Sequence, residues 1–461
     1  MKNIEAAKEI SAMTRTSMGP NGMNKLIINH LDKVFLTKDT AVMCKELDIN
    51  HPAARLIVNA SKMQENEQGD NTNFVLTFAG EALNLAGQLI KSGNHPSDIL
   101  IGYEKAWNKT LELLDSAPKY TLGDLRSHEE VTKIIKSSIG SKTLQCQENI
   151  LAPLIAQSCI NVLPSKSEDF NVENVRVAKI LGGSLVDSTV IKGLVVVRAV
   201  EGRITHAENC KVAVFNCPLE TQGLETKDTV VFKTADELIN YTRSEEDHME
   251  KIIKEIVDSG VKAVIVGGSV SDMAIHFLDR YGVLVFRIMS KFELRRIAKA
   301  IGASLLVRLG APTKEEMGYA DKICVDEISS HKCIVIVRES DENKLSTIVV
   351  RGSTNNMLDN IERIVEDGVN CYKSACKDPN FVAGAGAIEM YLSNGIKQFG
   401  KTVTSLDQYS IAKFGEAFEV VPRTLSENSG LNVNEVIANL YGKISEDPNM
   451  GIDVNVRIFL I

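Results

Sequence analysis

The nine cysteines of this 461-residue chain are scattered, with no C-x-x-C pair among them. An odd count without close pairing gives no disulfide framework and no zinc signature, and fits reduced thiols. Aromatic residues are scarce, at 5%, which argues against the stacking platforms that hold single-stranded nucleic acid. Positive charge is in deficit: 52 Lys and Arg against 60 Asp and Glu leave a formal net charge of −8. That balance suits neither general nucleic-acid binding nor an anionic membrane surface. No apolar run approaches the roughly 18 residues needed to span a bilayer. The opening MKNIEAAKEI carries acids and has no apolar signal core, so a cytoplasmic rather than a secreted protein is expected. Low-complexity segments, short internal repeats and Pro/Ser-rich linkers are absent too.

What is there is globular. Hydrophobic residues make up 44% and charged residues 24%, enough apolar surface for buried cores, and the length suggests two or three domains. The first 115 residues read mostly as helices. Apolar positions at helical spacing run over residues 4–18 and stop at Gly19-Pro20. Residues 25–29 and 33–37 look like short strands joined by a polar turn at 30–32. Pro52 suits the first turn of a helix to about Glu67. A second long helix, about 71–90, is apolar around most of its circumference and is expected to be deeply buried. The middle changes character. Residues 212–215, 230–232, 263–266 and 283–286 read as strands, with helical patterns at 235–257, 271–281 and 291–301 between them. Such alternation predicts an α/β domain with a largely parallel sheet. After about residue 355 the helices return. The layout is a helical domain interrupted by an α/β one.

Several local patterns suit a phosphate ligand. Gly19-Pro20-Asn21-Gly22 after Met18 is either a helix end and turn, or a backbone loop that glycine lets a nucleotide approach closely. Gly69-Asp70-Asn71-Thr72-Asn73, at the start of the second long helix, is either an ordinary Asp or Thr cap or an anion site. The free N–H groups and dipole of a helix start favour phosphate, and a carboxylate there can hold Mg²⁺. Asp39 follows a strand and precedes a helix; it is an N-cap or a second carboxylate near that metal. Asp367 lies about 200° around its helix from Val365, away from the apolar face. It either pairs with Arg363 in solvent or orients and deprotonates a water attacking a γ-phosphate. Gly384-Ala385-Gly386 opens another helix as a tight turn. Gly267-Gly268 after a strand is more often structural than a ligand loop.

Together and in this order the motifs resemble one family, the group II chaperonins. Gly19-Pro20-Asn21-Gly22-Met23 matches its Gly-Pro-x-Gly-Met, Lys38-Asp39 its Asn-Asp loop after a hairpin, and Gly69-Asp70-Asn71-Thr72 its Gly-Asp-Gly-Thr. Arg363 to Asp367, Gly384-Ala385-Gly386 and Gly451-Ile452-Asp453 match its Arg-x-x-x-Asp helix, Gly-Gly-Gly turn and late Gly-x-Asp. The match runs over nearly the whole chain. Asn21-Gly22-Met23-Asn24-Lys25, His51-Pro52-Ala53-Ala54, Ser290-Lys291-Phe292-Glu293-Leu294 and Asp367-Gly368-Val369-Asn370 carry a further likeness to one subunit of the eukaryotic cytosolic chaperonin.

The resemblance implies a nested, multidomain fold. A mainly α-helical equatorial domain would comprise residues 1–124 and 384–461. A small α/β intermediate domain would comprise 125–187 and 339–383, and an α/β apical domain with a helical protrusion 188–338. It implies an ATPase that binds ATP or ADP with Mg²⁺. By analogy Asp70 holds the metal, and Met18, Gly19, Pro20, Gly69, Asn71, Thr72, Asn73 and Phe74 line the phosphates. Gly140, Ser141 and Lys142 form a nucleotide-sensing loop. Gly384, Ala385, Gly386 and Asp453 contact the nucleoside, and Asp39 and Asp367 position the attacking water. Implied partners are paralogous subunits in a hetero-oligomeric double ring of eight per ring, unfolded clients such as actin and tubulin, and prefoldin, with no nucleic acid and no membrane. Closure would swing a tip around residues 235–247, including Ser244-Glu245-Glu246-Asp247, into a lid. Asn71, Ala385 and Thr40 stand where the family has smaller residues, and are expected to weaken nucleotide affinity or slow hydrolysis. Relative to the family both ends are short, where strands linking neighbouring subunits are expected. Two other readings stand beside the folding ATPase: a weakly hydrolysing scaffold subunit of the same ring, and a free-standing ATP-using α/β enzyme, which the absence of a Walker pattern disfavours.

Overall fold

The computed structural model describes residues 1–29, 32–143, 147–220, 235–328, 331–338, 345–444 and 447–454, with the backbone path alone for 235–245. It divides into two compact units. One comprises Met1–Ala152 with Arg363–Ile461, the other Pro153–Glu362.

The first unit begins with α1 (Lys2–Arg15), the hairpin β1 (Lys25–Ile28) and β2 (Val34–Thr37), α2 (Thr40–Glu46), α3 (Pro52–Gln68), α4 (Thr72–Lys91) and α5 (Pro96–Ser116). Each boundary has a local cause. Asp39 accepts a hydrogen bond from the Ala41 N–H and starts α2. His51 does the same for Ala53, with Pro52 in the first turn of α3. That helix stops at Gly69, whose φ of 73° is left-handed. Close packing of α1 on α4 relies on Gly80, where a Cβ would stand 2.3 Å from that of Ser11. The expected burial of α4 holds for Leu76, Leu85 and Leu89, whereas Leu83 is exposed. Next come β3 (Tyr120–Thr121), α6 (His128–Ile139) and α7 (Glu148–Val162), whose first residues belong to this unit and the rest to the second.

The second unit holds two sheets. The smaller joins β4 (Val175–Leu181) and β5 (Thr189–Lys192) to the later strand Ser346–Gly352, which lies between them. The larger contains β6 (Leu194–Val196), β7 (His206–Phe215), β8 (Val261–Val266), β9 (Leu284–Arg287), β10 (Leu305–Leu306), β11 (Gly318–Ile328) and β12 (His331–Val337). Between its strands run α8 (Ala235–Asp258), α9 (Asp272–Arg280) and α10 (Lys291–Ile301); the strand Ser346–Gly352 is β13. The order is β6-β12-β11-β7-β8-β9, with β10 beside β7. Pairing is parallel from β7 through β9 and for β10, but antiparallel among β6, β12, β11 and β7. The expected largely parallel sheet is therefore half right: the later strands connect by hairpin rather than by crossover helix. The strand expected at 230–232 lies outside the described residues.

Strand period sorts this core into two faces. Cys210, Val212 and Val214 of β7 join Ala263, Ile265, Leu284 and Phe286 under α10, through Leu294, Ile297 and Ile301. The alternate residues Ala213, Phe215, Val264 and Val285 meet Met249 and Ile253 of α8 and Phe277 and Leu278 of α9. Burial on both faces is why the strands read as continuous apolar runs. Gly267 and Gly268 are structural, as the plainer reading held: Cβ atoms there would stand 2.7 Å from Leu294 and from Pro218.

The chain returns to the first unit through α11 (Asn355–Lys377), followed by β14 (Asn380–Phe381), α12 (Ala387–Thr402), α13 (Asp407–Ala417), α14 (Val420–Asn428) and α15 (Val433–Ile444). Phe78 of α4 packs against Phe414 and Phe418, with Ala106 of α5 and Ile396 of α12 in the same core. No described helix is long and apolar enough to cross a membrane.

The turn between β5 and β6 offers a stability test. Gly193 has a φ of 122°, and a Cβ there would lie 2.2 Å from the Ile336 carbonyl oxygen. The Gly193 carbonyl accepts from Thr347 Oγ1 at 2.7 Å. Gly193→Ala is expected to destabilise the second unit by about 2–3 kcal/mol, read as a lower urea midpoint for that transition; an unchanged midpoint would contradict this account of the turn.

Candidate functional site

Three segments of the first unit converge on one ammonium group. Lys142 Nζ donates to Asp70 Oδ1 at 2.6 Å and to Asp367 Oδ2 at 2.7 Å, across 72 and 225 residues of sequence. Each partner is placed by a local device. Gly69 and Asn71, at φ 73° and 65°, are both left-handed and turn the chain abruptly from α3 into α4. Asp70 between them also accepts from the Asn71 N–H at 2.6 Å. Asn is among the few residues with a side chain that tolerate this backbone. A Cβ at Gly69 would stand 2.1 Å from the amide of Asn370, so α11 packs tightly on this turn and carries Asp367 with it. Lys142 follows α6, whose last turn is closed by Gly140.

The ordinary readings of two of these residues do not describe them. Asp70 is not the cap of α4, a position held by Asn71, which makes no side-chain cap bond. Asp367 pairs with Lys142 rather than Arg363, while Arg363 donates to Thr37 Oγ1 at 3.3 Å. The electrostatics follow from the grouping. Burial opposes the charge on Lys142, but Asp367 and Asp70 outweigh it and raise its pKa. For Asp367, burial pushes the carboxyl up to about 7; Lys142 pulls it down, and Asp70 and Asp39 add to the rise. Burial also raises Glu65, with Asp39 contributing. Asp39 thus lies within electrostatic reach of Asp367, while its own side chain caps α2.

The other expected residues form two further groups. Gly19 is left-handed at φ 82°, and a Cβ there would stand 2.6 Å from Leu425 of α14. The carbonyl of Met18 accepts from Asn428 Nδ2 at 2.8 Å, and that of Arg15 from the same atom at 3.1 Å. Pro20 and Ser141 present their carbonyls to one donor, Lys38 Nζ, at 2.9 and 3.0 Å. In the second group Ala385 and Gly386, at φ 53° and 84°, open α12. The Ile452 N–H donates to the Ala385 carbonyl at 3.0 Å, which brings Asp453 next to that turn. Gly386 packs on Pro422 of α14, 3.0 Å from a would-be Cβ, whereas Gly384 is open.

Two expected phosphate residues turn their side chains elsewhere. Asn73 donates to Thr14 O at 3.2 Å and Ser17 Oγ at 3.1 Å, holding the end of α1. Phe74 stacks on Phe78 at 5.7 Å. What they and the buried Thr72 offer an anion is the first-turn N–H groups of α4, which have no intrahelical acceptor.

Among the described residues no group of three or more His, Cys, Asp or Glu is arranged to hold a metal. Two carboxylates sharing one cation do suit Mg²⁺, which takes one or two carboxylates and completes its shell with substrate phosphates and water. Sequence reading missed Lys38, Thr37, Asn428, Pro422 and Leu425. Only Lys38, adjoining Asp39, carried a local signal.

The TCP-1/cpn60 chaperonin family model matches residues 10–458. The chain is 47% identical over 455 residues to T-complex protein 1 subunit theta of Dictyostelium discoideum, covering 98% of this chain and 84% of that one. Identity is 45% to the Homo sapiens and Arabidopsis thaliana proteins of the same name, covering 99% and 98% of this chain and 83% of each of theirs. The subunit likeness read in the sequence motifs points to the same theta protein. With the match spanning both units and every segment of the carboxylate–lysine cluster, the chain belongs to the TCP-1/cpn60 chaperonin family.

Proposed function

We propose that this chain is a theta-type subunit of a cytosolic chaperonin that folds proteins at the expense of ATP, with its nucleotide site at the Asp70–Lys142–Asp367 cluster. The observation that carries the reading is that single cluster, which collects an acid at a helix start, a lysine after a glycine and an acid from a distant helix. Paralogous subunits in a double ring, unfolded clients and prefoldin are the proposed partners. The nested equatorial, intermediate and apical layout, with the boundaries given above, is part of the same proposal.

In this mechanism the Gly19-Pro20 loop and the first-turn N–H groups of α4 cradle the phosphates. Asp70 would hold Mg²⁺, and the ion would supply positive charge to offset that of the phosphates. Lys142, already held charged, gives its third N–H to phosphate, and Asp367 orients or deprotonates the attacking water. Asp39 contributes negative charge from the cap of α2. The turn at Ala385 and Gly386, with Asp453, takes the nucleoside. Asn71 and Ala385 keep the left-handed backbone that glycine supplies in the family pattern, so the loop path survives both substitutions, at a cost of roughly 1–2 kcal/mol for Ala385. That favours the hydrolysing subunit over the scaffold reading.

Negative-stain imaging and native mass measurement of the purified assembly should give a double ring near a megadalton; a monomer or small oligomer contradicts the proposal. Asp367→Asn in the assembled ring should leave ATP binding within about threefold and cut turnover at this subunit by about 100-fold or more. Unchanged turnover per ring would instead favour the scaffold. Lys142→Met leaves two carboxylates facing each other without a cation. The variant should lose about 1–2 kcal/mol of stability, and Mg²⁺ should raise its melting temperature more than that of the wild type. An equal Mg²⁺ response in both proteins would remove Asp70 from the metal role.

A further inference from the structure

Lys38 is a cation without a counter-charge. The residue is half-buried, and its Nζ donates to two neutral carbonyls, Pro20 O and Ser141 O. These use two of its three N–H groups and neutralise none of its charge. Among the described residues it forms no ion pair, and burial is what acts on its pKa, lowering it. Lys142 is the contrast: it follows Ser141 directly, yet is shared by two carboxylates. Burying an ammonium without a charged partner is costly, so an anionic partner would be favoured at this position.

Its position says what that partner is. Pro20 adjoins Gly19, and Ser141 adjoins Lys142. The free N–H of Lys38 therefore stands where the glycine-proline loop meets the lysine held by Asp367. The family pattern has Asn at this position, so the charge is a feature of this chain rather than of the fold. We propose that Lys38 is an additional phosphate-binding residue, directed at the terminal phosphate of the nucleotide, and that its two carbonyl contacts hold both loops around that phosphate. This inference rests on the nucleotide reading of the site. It also bears on whether Thr40 and the other departures leave this subunit a weak binder, because it supplies a compensating charge.

The test is calorimetric titration of the full chain with ATP and with ADP, without Mg²⁺. Lys38→Met and Lys38→Gln are expected to weaken ATP binding about tenfold or more and ADP binding less, with Lys38→Arg close to the wild type. Gln keeps an N–H for a loop carbonyl but has no charge, so it separates the charge from the tether. The wild type should also lose ATP affinity more steeply with added salt than Lys38→Gln does. If Lys38→Gln binds ATP as the wild type does, the inference is overturned while the site stands. If Lys38→Met fails to fold, the Gln and Arg pair decides alone. A wild-type chain that binds neither nucleotide overturns the nucleotide reading itself, and this inference with it.

Discussion

One shared proton donor holds the candidate site together. Asp70 and Asp367 are like charges, and each would raise the energy of the other if they met alone. Lys142 makes their approach favourable, and it does so from a third segment of the chain. The loop after α6, the turn between α3 and α4, and α11 are consequently fixed to one another by a group on which each depends. Coulomb attraction between unit charges at such distances is large when water is partly excluded, but desolvation offsets much of it. The cluster is thus better understood as setting a unique geometry than as a large net source of stability.

A second support lies under the two glycine turns. Pro422 meets Gly386, Leu425 meets Gly19, and Asn428 reaches the carbonyls of Arg15 and Met18. All three residues belong to one short helix, α14, so turns far apart in sequence rest on a common rigid element. That helix is anchored in turn at its start. Glu419, nearly fully buried, receives hydrogen bonds from Lys397, Tyr441 and Arg423. Burial opposes its ionisation, but those donors outweigh it and hold its pKa below the ordinary range. A carboxylate satisfied on several sides is a firm anchor. Displacing α14 would disturb both ends of the proposed nucleotide cradle at once.

How much of this was legible in the sequence follows from the range of each interaction. Helix limits were readable because their causes are local: Asp39, Pro52 and Gly69 act within a few residues. The two buried faces of the large sheet were readable as apolar runs, yet the same runs hid the antiparallel half. Strand direction depends on connections, and apolarity does not record it. Asp70, Lys142 and Asp367 were proposed from family motifs, whereas spacing alone favoured an Arg363–Asp367 pair. That pair is absent because Thr37 offers Arg363 an acceptor from another element. Asn428 was invisible for a related reason. An Asn two residues before Gly430 reads as an ordinary helix end, and nothing near it in sequence indicates a partner 410 residues away.

Some features that local rules disfavour fall at the candidate site. Of the non-glycine residues with left-handed backbone, Asp32 and Asn209 are of types that tolerate it, as Asn71 is; Ala385 is not. Three residues after Gly386, Glu389 buries a carboxyl whose Oε2 meets no donor, and burial raises its pKa. Thr40, after Asp39, buries a hydroxyl with no partner. Lys38 is hydrogen-bonded but has no counter-charge among the described residues. Burying unsatisfied polar groups lowers stability, and random drift would scatter such defects over the chain. Most of the unpartnered buried groups among the described residues do lie elsewhere, at Ser158, Asn161, Arg338, Ser346 and Thr424. The strained alanine and the lysine without a counter-charge, however, fall on two loops of the proposed nucleotide site. Backbone strain is found disproportionately at functional sites, and the strain at Ala385 falls on one of the loops that the motifs singled out.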